Sequence, residues 1–249
     1  MGDRWDFYLC KLNDLAASIY LNLALAETAP DKEKPNLLWL WVEMKWPSDD
    51  GLSSNSEFDT LCEIEDQITE AVKSRFDAAY CGRITTDGRR EFYFYAASPL
   101  RLEQAVEEAL AKFKGYEFES GSKPDPEWKQ YFDVLYPSEE TRQCMENRRV
   151  LHVLEKNGDT LQRPRDVWHW IYFRTDAARK EFLVAAIPLQ YRLQSESDNE
   201  DKPLPKEICI VRFQSVKQNE IDNAVTELFR LARTHGGEYD GWETQMNPD

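Results

Sequence analysis

The chain has 249 residues, a length that accommodates one or two domains of ordinary size. Hydrophobic residues make up 41% of it and aromatic residues 12%, which suffices for hydrophobic cores and excludes global disorder. The 31 basic and 46 acidic residues leave a net charge of −15, which argues against direct binding of duplex nucleic acid or of an anionic membrane.

The first residues lack the basic start and the continuous apolar run of a secretory signal, and Asp6 stands where a myristoylation motif needs Ser or Thr. The longest apolar stretches, such as residues 36–46, are too short to span a bilayer. The five cysteines are odd in number and lack C-x-x-C spacing, so we expect reduced thiols instead of disulfides or a zinc site. Together these features predict a cytoplasmic protein.

The elements predicted for the first half begin with two strand-like runs that form a hairpin. Apart from this hairpin, the order is β-α-β-β-α-β, which is the ferredoxin-like pattern. In chain order we predict strands 5–12, 17–26 and 37–42, a helix capped by Ser56, two strands joined by Asp87-Gly88, a helix after Pro99 that ends at Gly115, and a strand at 116–119.

A segment containing Pro and Trp, residues 124–137, indicates a boundary, so we predict domains at 1–137 and 138–249. The second half repeats the pattern after an additional helix. We predict helix 138–157, strand 165–174, a helix capped by Thr175, strand 189–194, loop 195–206, strand 207–215, a helix that ends at Gly236-Gly237, and strand 238–244. The predicted fold class is α+β, with two tandem ferredoxin-like domains of which the first carries an extra N-terminal β-hairpin.

The charge is divided unequally between the two predicted domains. Residues 1–137 contain 26 acidic and 15 basic residues, a net of −11, whereas residues 138–249 contain 20 and 16, a net of −4. The acidity is densest on the first predicted helix, where Glu63, Glu65 and Asp66 precede the first basic residue, Lys73. This run is either a solvated helix face or a docking surface for a protein partner.

The sequence lacks the short motifs of common enzyme classes: no dinucleotide or P-loop glycine pattern, no H-E-x-x-H and no G-x-S-x-G. Its three histidines, His152, His169 and His235, fall on separate predicted elements, so neither a multi-histidine metal site nor a histidine pair for acid–base catalysis is supported. We therefore assign no catalytic residue, no metal ligand and no cofactor.

Aromatic residues occupy a sheet face in both halves. In strand 165–174, alternation places His169 with the aliphatic residues on one face and Trp168, Trp170 and Tyr172 on the other. Such a face stacks unpaired bases in RNA-binding modules, but the basic surround of those modules is missing here. We favour burial of these faces against each other, against the opening hairpin, or in a homodimer, with RNA binding as the alternative.

Three segments of the second half carry a family resemblance, and they follow one another in the expected order. They are residues 156–159 (KNGD), 163–173 (RPRDVWHWIYF) and 236–242 (GGEYDGW). Over about residues 139–246 the chain resembles the regulator of ribonuclease activity B family. The first half resembles a bacterial domain of unknown function that is sometimes fused ahead of it, through residues 50–52 (DGL), 63–66 (EIED) and 82–83 (GR).

The resemblance implies a ferredoxin-like, non-catalytic protein whose founding family member binds and inhibits the endoribonuclease that initiates messenger RNA decay. A protein partner, such as an endoribonuclease, is therefore expected. The candidate partner-binding residues are Arg165, His169, Tyr239, Asp240 and Trp242 in the second domain, with Glu63, Glu65 and Asp66 in the first.

These motif residues also have structural interpretations. Gly236-Gly237 would end a helix, and Gly241 would allow close backbone approach. Arg165 would pair with Asp240 or Asp166, while His169 would be a hydrogen-bonded core side chain. A third interpretation is a small-molecule enzyme or sensor with a pocket around His169, Arg165 and Asp240, at the junction of the two domains.

Overall fold

The structure is a computed structural model that describes residues 2–247 of the chain. The chain divides into two compact units, Met1–Pro137 and Ser138–Asp249. Each unit contains one antiparallel sheet together with helices, so the fold is of the mixed α and β class. Within residues 2–247, no helix is long and apolar enough to cross a membrane.

The first unit contains a six-stranded sheet in the order β1-β2-β4-β5-β3-β6. Its elements are β1 (Trp5–Leu12), β2 (Leu15–Asn22), β3 (Asn36–Glu43), α1 (Phe58–Phe76), β4 (Ala79–Thr86), β5 (Arg89–Ala96), α2 (Leu102–Leu110) and β6 (Phe118–Pro124). The β1–β2 hairpin pairs with β4 and thereby extends the sheet beyond the four strands that alternate with the helices.

One face of this sheet packs against α1 and α2. Leu38, Leu40 and Val42 alternate along β3 and are buried with the apolar stripe of α1 and α2. The turn between β4 and β5 is the predicted Asp87-Gly88, with φ of 49° and 75°, as a two-residue hairpin of this kind requires.

The opposite face of the first sheet is covered by residues 125–136, which include a π-helix at Gln130–Leu135. Trp128 stacks on Tyr95 with 4.0 Å between ring centroids, and the Tyr131 hydroxyl donates to the Asn22 carbonyl at 2.9 Å. The segment predicted as a boundary therefore belongs to the core of the first unit. The aromatic face of the first sheet is therefore buried, by this segment and not by any of the three occupants expected from the sequence. In the second sheet, Trp168, Trp170 and Tyr172 are half-buried.

The second unit contains a four-stranded sheet in the order β10-β7-β9-β8. Its elements are α3 (Glu139–Lys156), β7 (Arg165–Phe173), α4 (Asp176–Ala186), β8 (Arg192–Asp198), β9 (Lys206–Gln214), α5 (Gln218–Thr234) and β10 (Gly237–Thr244). Ser138 caps α3 and Thr175 caps α4, since each side chain accepts a backbone N–H of the first turn of its helix. The cap at Thr175 was predicted from the sequence. Val167, Ile171 and Phe173 of β7 are completely buried in the core.

Three predicted boundaries in the first half are wrong, one of them the end of α2, which lies at Leu110 and not at Gly115. β2 ends at Asn22 and not at residue 26, because the Asn22 side chain accepts the Ala24 N–H at 3.1 Å and starts a 3₁₀ turn. Ser56 does not cap α1. Glu57 precedes that helix, and its buried carboxylate accepts the backbone N–H groups of Lys45 and Trp46, each at 2.8 Å.

Two further strands lie elsewhere than predicted. β6 begins at Phe118 and ends at Pro124, whereas the prediction placed this strand at residues 116–119. β8 comprises residues 192–198, whereas the prediction placed a strand at 189–194 and a loop from residue 195. All residues of β8 are exposed, so no hydrophobic alternation marks it, and its place is determined by pairing with β9.

Candidate partner-binding site

Arg165, at the start of β7, is buried and engaged within its own unit. Its guanidinium pairs with the buried carboxylate of Asp159 through both Nη atoms, one of them at 2.8 Å. Nη1 and Nε also donate to the carbonyls of Gln245 and Arg163, each at 3.2 Å. The arginine does not pair with Asp240 or Asp166 as predicted, because residues 159–161 turn the Asp159 carboxylate towards it.

Asp159 is the centre of this arrangement. Besides Arg165, its carboxylate accepts the backbone N–H groups of Leu161 and Asn247, each at 2.9 Å. The hydrogen bond from Arg165 is the main reason that the pKa of Asp159 lies well below its usual range. The pair therefore ties the loop before β7 to the end of the chain after β10.

His169 is completely buried in the middle of β7. Its Nδ1 lies 2.8 Å from the Tyr239 hydroxyl of β10, and the Tyr191 ring meets the imidazole edge-on. Burial, with a smaller contribution from Arg212, lowers the pKa of His169 to about 3, so the ring is neutral at physiological pH. This placement agrees with the interpretation of His169 as a hydrogen-bonded core side chain of the second unit.

Trp242 connects β10 to the helices. Its indole N–H donates to Oδ1 of buried Asn147 at 2.7 Å, and the Asn147 amide donates to Asp222 at 2.8 Å. Gln218 donates to the other oxygen of Asp222 at 2.7 Å. Tyr239 and Trp242 thus hold the edge strand onto the body of the second unit. The sequence offered no signal for Asn147 or Asp222.

The glycines of the terminal motif agree only in part with the predicted roles. Gly236 ends α5 with φ of +69°, in the left-handed region, as expected for a helix stop. Close approach belongs to Gly237, where an added Cβ would lie 2.3 Å from the Phe173 ring. The prediction for Gly241 is wrong, because an added Cβ there would meet no atom within 4 Å.

Asp240 is the one residue of the predicted set in the second unit that is exposed. It lies in an irregularity of the β10–β7 pairing between Tyr239 and Gly241, and two more exposed carboxylates, Glu238 and Glu243, lie on the same edge strand. None of the three forms an ion pair with another residue of 2–247. They alternate with Tyr239, which is buried, and with Trp242, which is half-buried, a pattern that the sequence already contained.

The acidic residues predicted on α1 are divided between two roles. Glu63 and Asp66 are exposed. Glu65 is turned inward, where it accepts hydrogen bonds from Tyr80 at 2.9 Å and from Nε of Arg83 at 2.5 Å. Glu65 is therefore an internal ion-pair partner and not part of a freely presented acidic surface.

Residues 2–247 contain no group of three or more His, Cys, Asp or Glu side chains arranged to hold a metal ion. The five cysteines are free thiols, as the sequence predicts. Burial is the main factor that raises the pKa of Cys209 to about 11, which disfavours the reactive thiolate.

The fold and these contacts define a two-unit α and β protein whose second unit uses its characteristic polar residues to hold its own edge strand. The chain belongs to a family of unknown function (DUF695), whose model matches residues 3–136, and residues 145–244 match the model of Regulator of ribonuclease activity B. Both matches, and their order along the chain, confirm the resemblance seen in the sequence.

No curated protein matches the chain. Among solved structures it is similar to an unknown protein from Galdieria sulphuraria, at 8% identity over 83% of this chain and 96% of that one, with a TM-score of 0.24. It is also similar to a "putative glycine cleavage system transcriptional repressor", at 10% identity over 84% and 98%, with a TM-score of 0.26. Similarities this weak carry no argument about function.

Proposed function

We propose that this protein is a non-catalytic, cytoplasmic regulator that binds an endoribonuclease through its second unit and modulates RNA decay. The match of residues 145–244 to Regulator of ribonuclease activity B supports this proposal most directly. The strand order in each unit, with its two intervening helices, is the reason to class both units as ferredoxin-like. A homodimer is compatible with this function.

The contact surface in this proposal is the exposed side of β10, with Asp240 at its centre. The buried Tyr239 and the half-buried Trp242 hold this strand in place, so Glu238, Asp240 and Glu243 are presented from a fixed backbone. Carboxylates without an internal cation favour a basic partner segment, and the association is expected to weaken as salt increases. Arg165, His169, Tyr239 and Trp242 contribute by positioning this surface.

The decisive experiment measures binding and inhibition with the full chain and the endoribonuclease that initiates messenger RNA decay in the same cells. Pull-down is performed with and without prior nuclease treatment, so that a bridge of RNA is distinguished from direct contact. We expect retention of the enzyme after RNA is removed, together with slower RNA cleavage. Retention only through RNA, or the absence of binding by the purified proteins, would contradict the proposed function.

A matched pair of variants locates the surface. Glu238→Gln combined with Asp240→Asn and Glu243→Gln removes the β10 charges, and Asp59→Asn combined with Glu63→Gln and Asp66→Asn removes three charges from α1. We expect the first variant to lower affinity at least tenfold and to flatten its salt dependence, since each lost charged contact contributes about 1 kcal/mol. Equal affinities of the two variants for the endoribonuclease would refute β10 as the contact surface. That result would not contradict the endoribonuclease as the partner.

A further inference from the structure

The N-terminal hairpin of the first unit creates a cavity of about 450 Å³ that the ribonuclease function does not involve. Residues paired across antiparallel strands project from the same face, so the register defines the cavity floor. One row across β1, β2, β4 and β5 consists of Leu9, Ser18, Thr85 and Arg90. The neighbouring row consists of Phe7, Tyr20 and Arg83.

The wall of the cavity is residues 52–58, which lead into α1. This loop is held rigidly: the Gly88 N–H donates to the Gly51 carbonyl at 3.0 Å, and the Ser48 N–H donates to the Leu52 carbonyl at 2.9 Å. An added Cβ at Gly51, whose φ is +79°, would lie 3.0 Å from the Asp87 backbone nitrogen. The cavity is therefore preformed, as small-molecule sites usually are.

The two arginines make the cavity floor cationic inside a domain of net charge −11. Arg90 is 1% exposed, and its Nε and Nη1 have no hydrogen-bond partner within residues 2–247. Nη2 donates to Ser53 Oγ at 2.9 Å, and Nη1 lies 3.5 Å from Glu65, the carboxylate that also accepts from Arg83. One carboxylate thus serves two guanidinium groups, which leaves about one positive charge uncompensated.

Arg83 presents the accessible part of this charge. Its Nε is engaged by Glu65, and its guanidinium lies over the Tyr20 ring with 4.7 Å from Cζ to the centroid. Neither of its Nη atoms makes a hydrogen bond within residues 2–247. Gly82 accounts for the position of Arg83: at φ of +145° it lets β4 approach β2 so closely that an added Cβ would lie 2.2 Å from the Tyr20 carbonyl.

The rim of the cavity is apolar and exposed. Phe7, Leu9 and Phe58 are 42%, 66% and 47% exposed, although large apolar side chains usually avoid water. A hydroxyl on the floor, Thr85 Oγ1, is buried without a hydrogen-bond partner in residues 2–247. The site therefore combines unsatisfied polar groups at depth with an apolar entrance.

We propose that this cavity is a binding site for a small amphipathic carboxylate, with its anionic head on Arg83 in front of Arg90 and its hydrocarbon body against Phe7, Leu9 and Phe58. A single carboxylate matches the single uncompensated positive charge. A dianionic phosphate would leave a net negative charge in an already acidic domain, which makes it the poorer ligand. The proposal concerns the first unit alone and does not depend on ribonuclease binding.

Octanoate is the probe, and titration of the full chain is followed by amide chemical shifts and by calorimetry. Octanol and octylamine share its hydrocarbon body and differ only in the head group. We expect saturable binding of octanoate, with shift changes confined to residues 52–58 and 83–90 and to the β1–β2 hairpin, and at least tenfold weaker binding of the two controls. Equal binding of octanoate and octanol would overturn the assigned head-group site, and tighter binding of octyl phosphate would overturn the choice of carboxylate.

Three variants distinguish the effect of the Arg83 charge on octanoate binding from an effect on the folding of the first unit. Arg83→Gln should weaken octanoate binding at least tenfold, whereas Arg89→Gln should not alter it, because Arg89 lies over Trp41 and pairs with Glu43 outside the cavity. Ser18→Leu fills the cavity floor without changing charge and should abolish binding, with the remaining amide shifts of the first unit reporting that it is folded. Unchanged affinity in Arg83→Gln or in Ser18→Leu would overturn the proposal.

Discussion

Arg165 in the second unit and Arg90 in the first are both buried guanidinium groups, but their surroundings differ in how far the charge is compensated. Arg165 faces its own carboxylate, Asp159, and donates to two backbone carbonyls besides. Arg90 shares Glu65 with Arg83, and its Nε and Nη1 lack hydrogen-bond partners in the described part of the chain.

This difference distinguishes a buried arginine that stabilises the fold, Arg165, from one that indicates a ligand site, Arg90. A buried ion stabilises a fold only when its partners are complete, since the cost of desolvation is large. Arg165 meets that condition and ties the loop before β7 to the segment after β10. Arg90 does not, and it lies at a preformed cavity with an apolar rim. An incompletely satisfied buried charge is therefore the better indicator of a ligand site in this chain.

The comparison is tested most strongly by Asp159→Asn, which leaves Arg165 buried without a counter-charge. We expect the second unit to lose roughly 3 kcal/mol of unfolding free energy. Hydrogen exchange of the β7 amides in the full chain measures this loss. Asp166→Asn is the control, because Asp166 forms a half-exposed pair with Arg192 at 3.5 Å and should change stability by less than about 0.5 kcal/mol. Equal losses in the two variants would contradict the structural role of Arg165.

The pH dependence of the second unit tests the neutral state of the buried His169 side chain. Between the folded pKa of His169, about 3, and its ordinary value of 6.5, the unfolded chain binds more protons, so stability must fall as pH falls. From pH 7 to pH 5 we expect a loss of about 2 kcal/mol. The lowered pKa of Asp159 adds a further loss below its ordinary value of 3.8.

The double variant His169→Phe with Tyr239→Phe should remove the loss between pH 7 and pH 5, because the imidazole that takes up the proton on unfolding is gone. Replacing Tyr239 as well avoids a buried hydroxyl without its partner. Exchange of β7 amides, corrected for the intrinsic rate at each pH, is the measurement. His152→Gln, an exposed histidine, is the matched control and should retain the wild-type slope. A double variant with an unchanged slope would show that another group takes up the proton.

The smallest effect is expected for Arg90→Met in the first unit. Glu65 keeps its pair with Arg83, and the substitution removes two unsatisfied donors, so stability should stay within about 1 kcal/mol of the wild type. Hydrogen exchange of β5 amides measures the change. A loss as large as that of Asp159→Asn would mean that Arg90 is fully compensated after all, which would weaken the argument for a ligand site.

Most of the fold was predictable because its elements carry local signals. Apolar alternation marks β3 and β7, Thr175 caps α4, and Asp87-Gly88 closes a hairpin. β8 carries no such signal, since all its residues are exposed and only its pairing with β9 places it. The segment 125–136 was equally unpredictable, because its aromatic residues become core only when they meet Tyr95 and the first sheet.

By itself, the sequence determined the two-unit organisation, the family resemblance, and the uneven charge of −11 and −4. The tertiary structure alone decided the partners of the charged residues. Asp159 pairs with Arg165, Glu65 turns inward to two arginines, and Asp240 remains exposed. The physical reason is that local patterns report which face of an element is apolar, whereas a buried charge is satisfied by groups that are brought close only when the strands are in register.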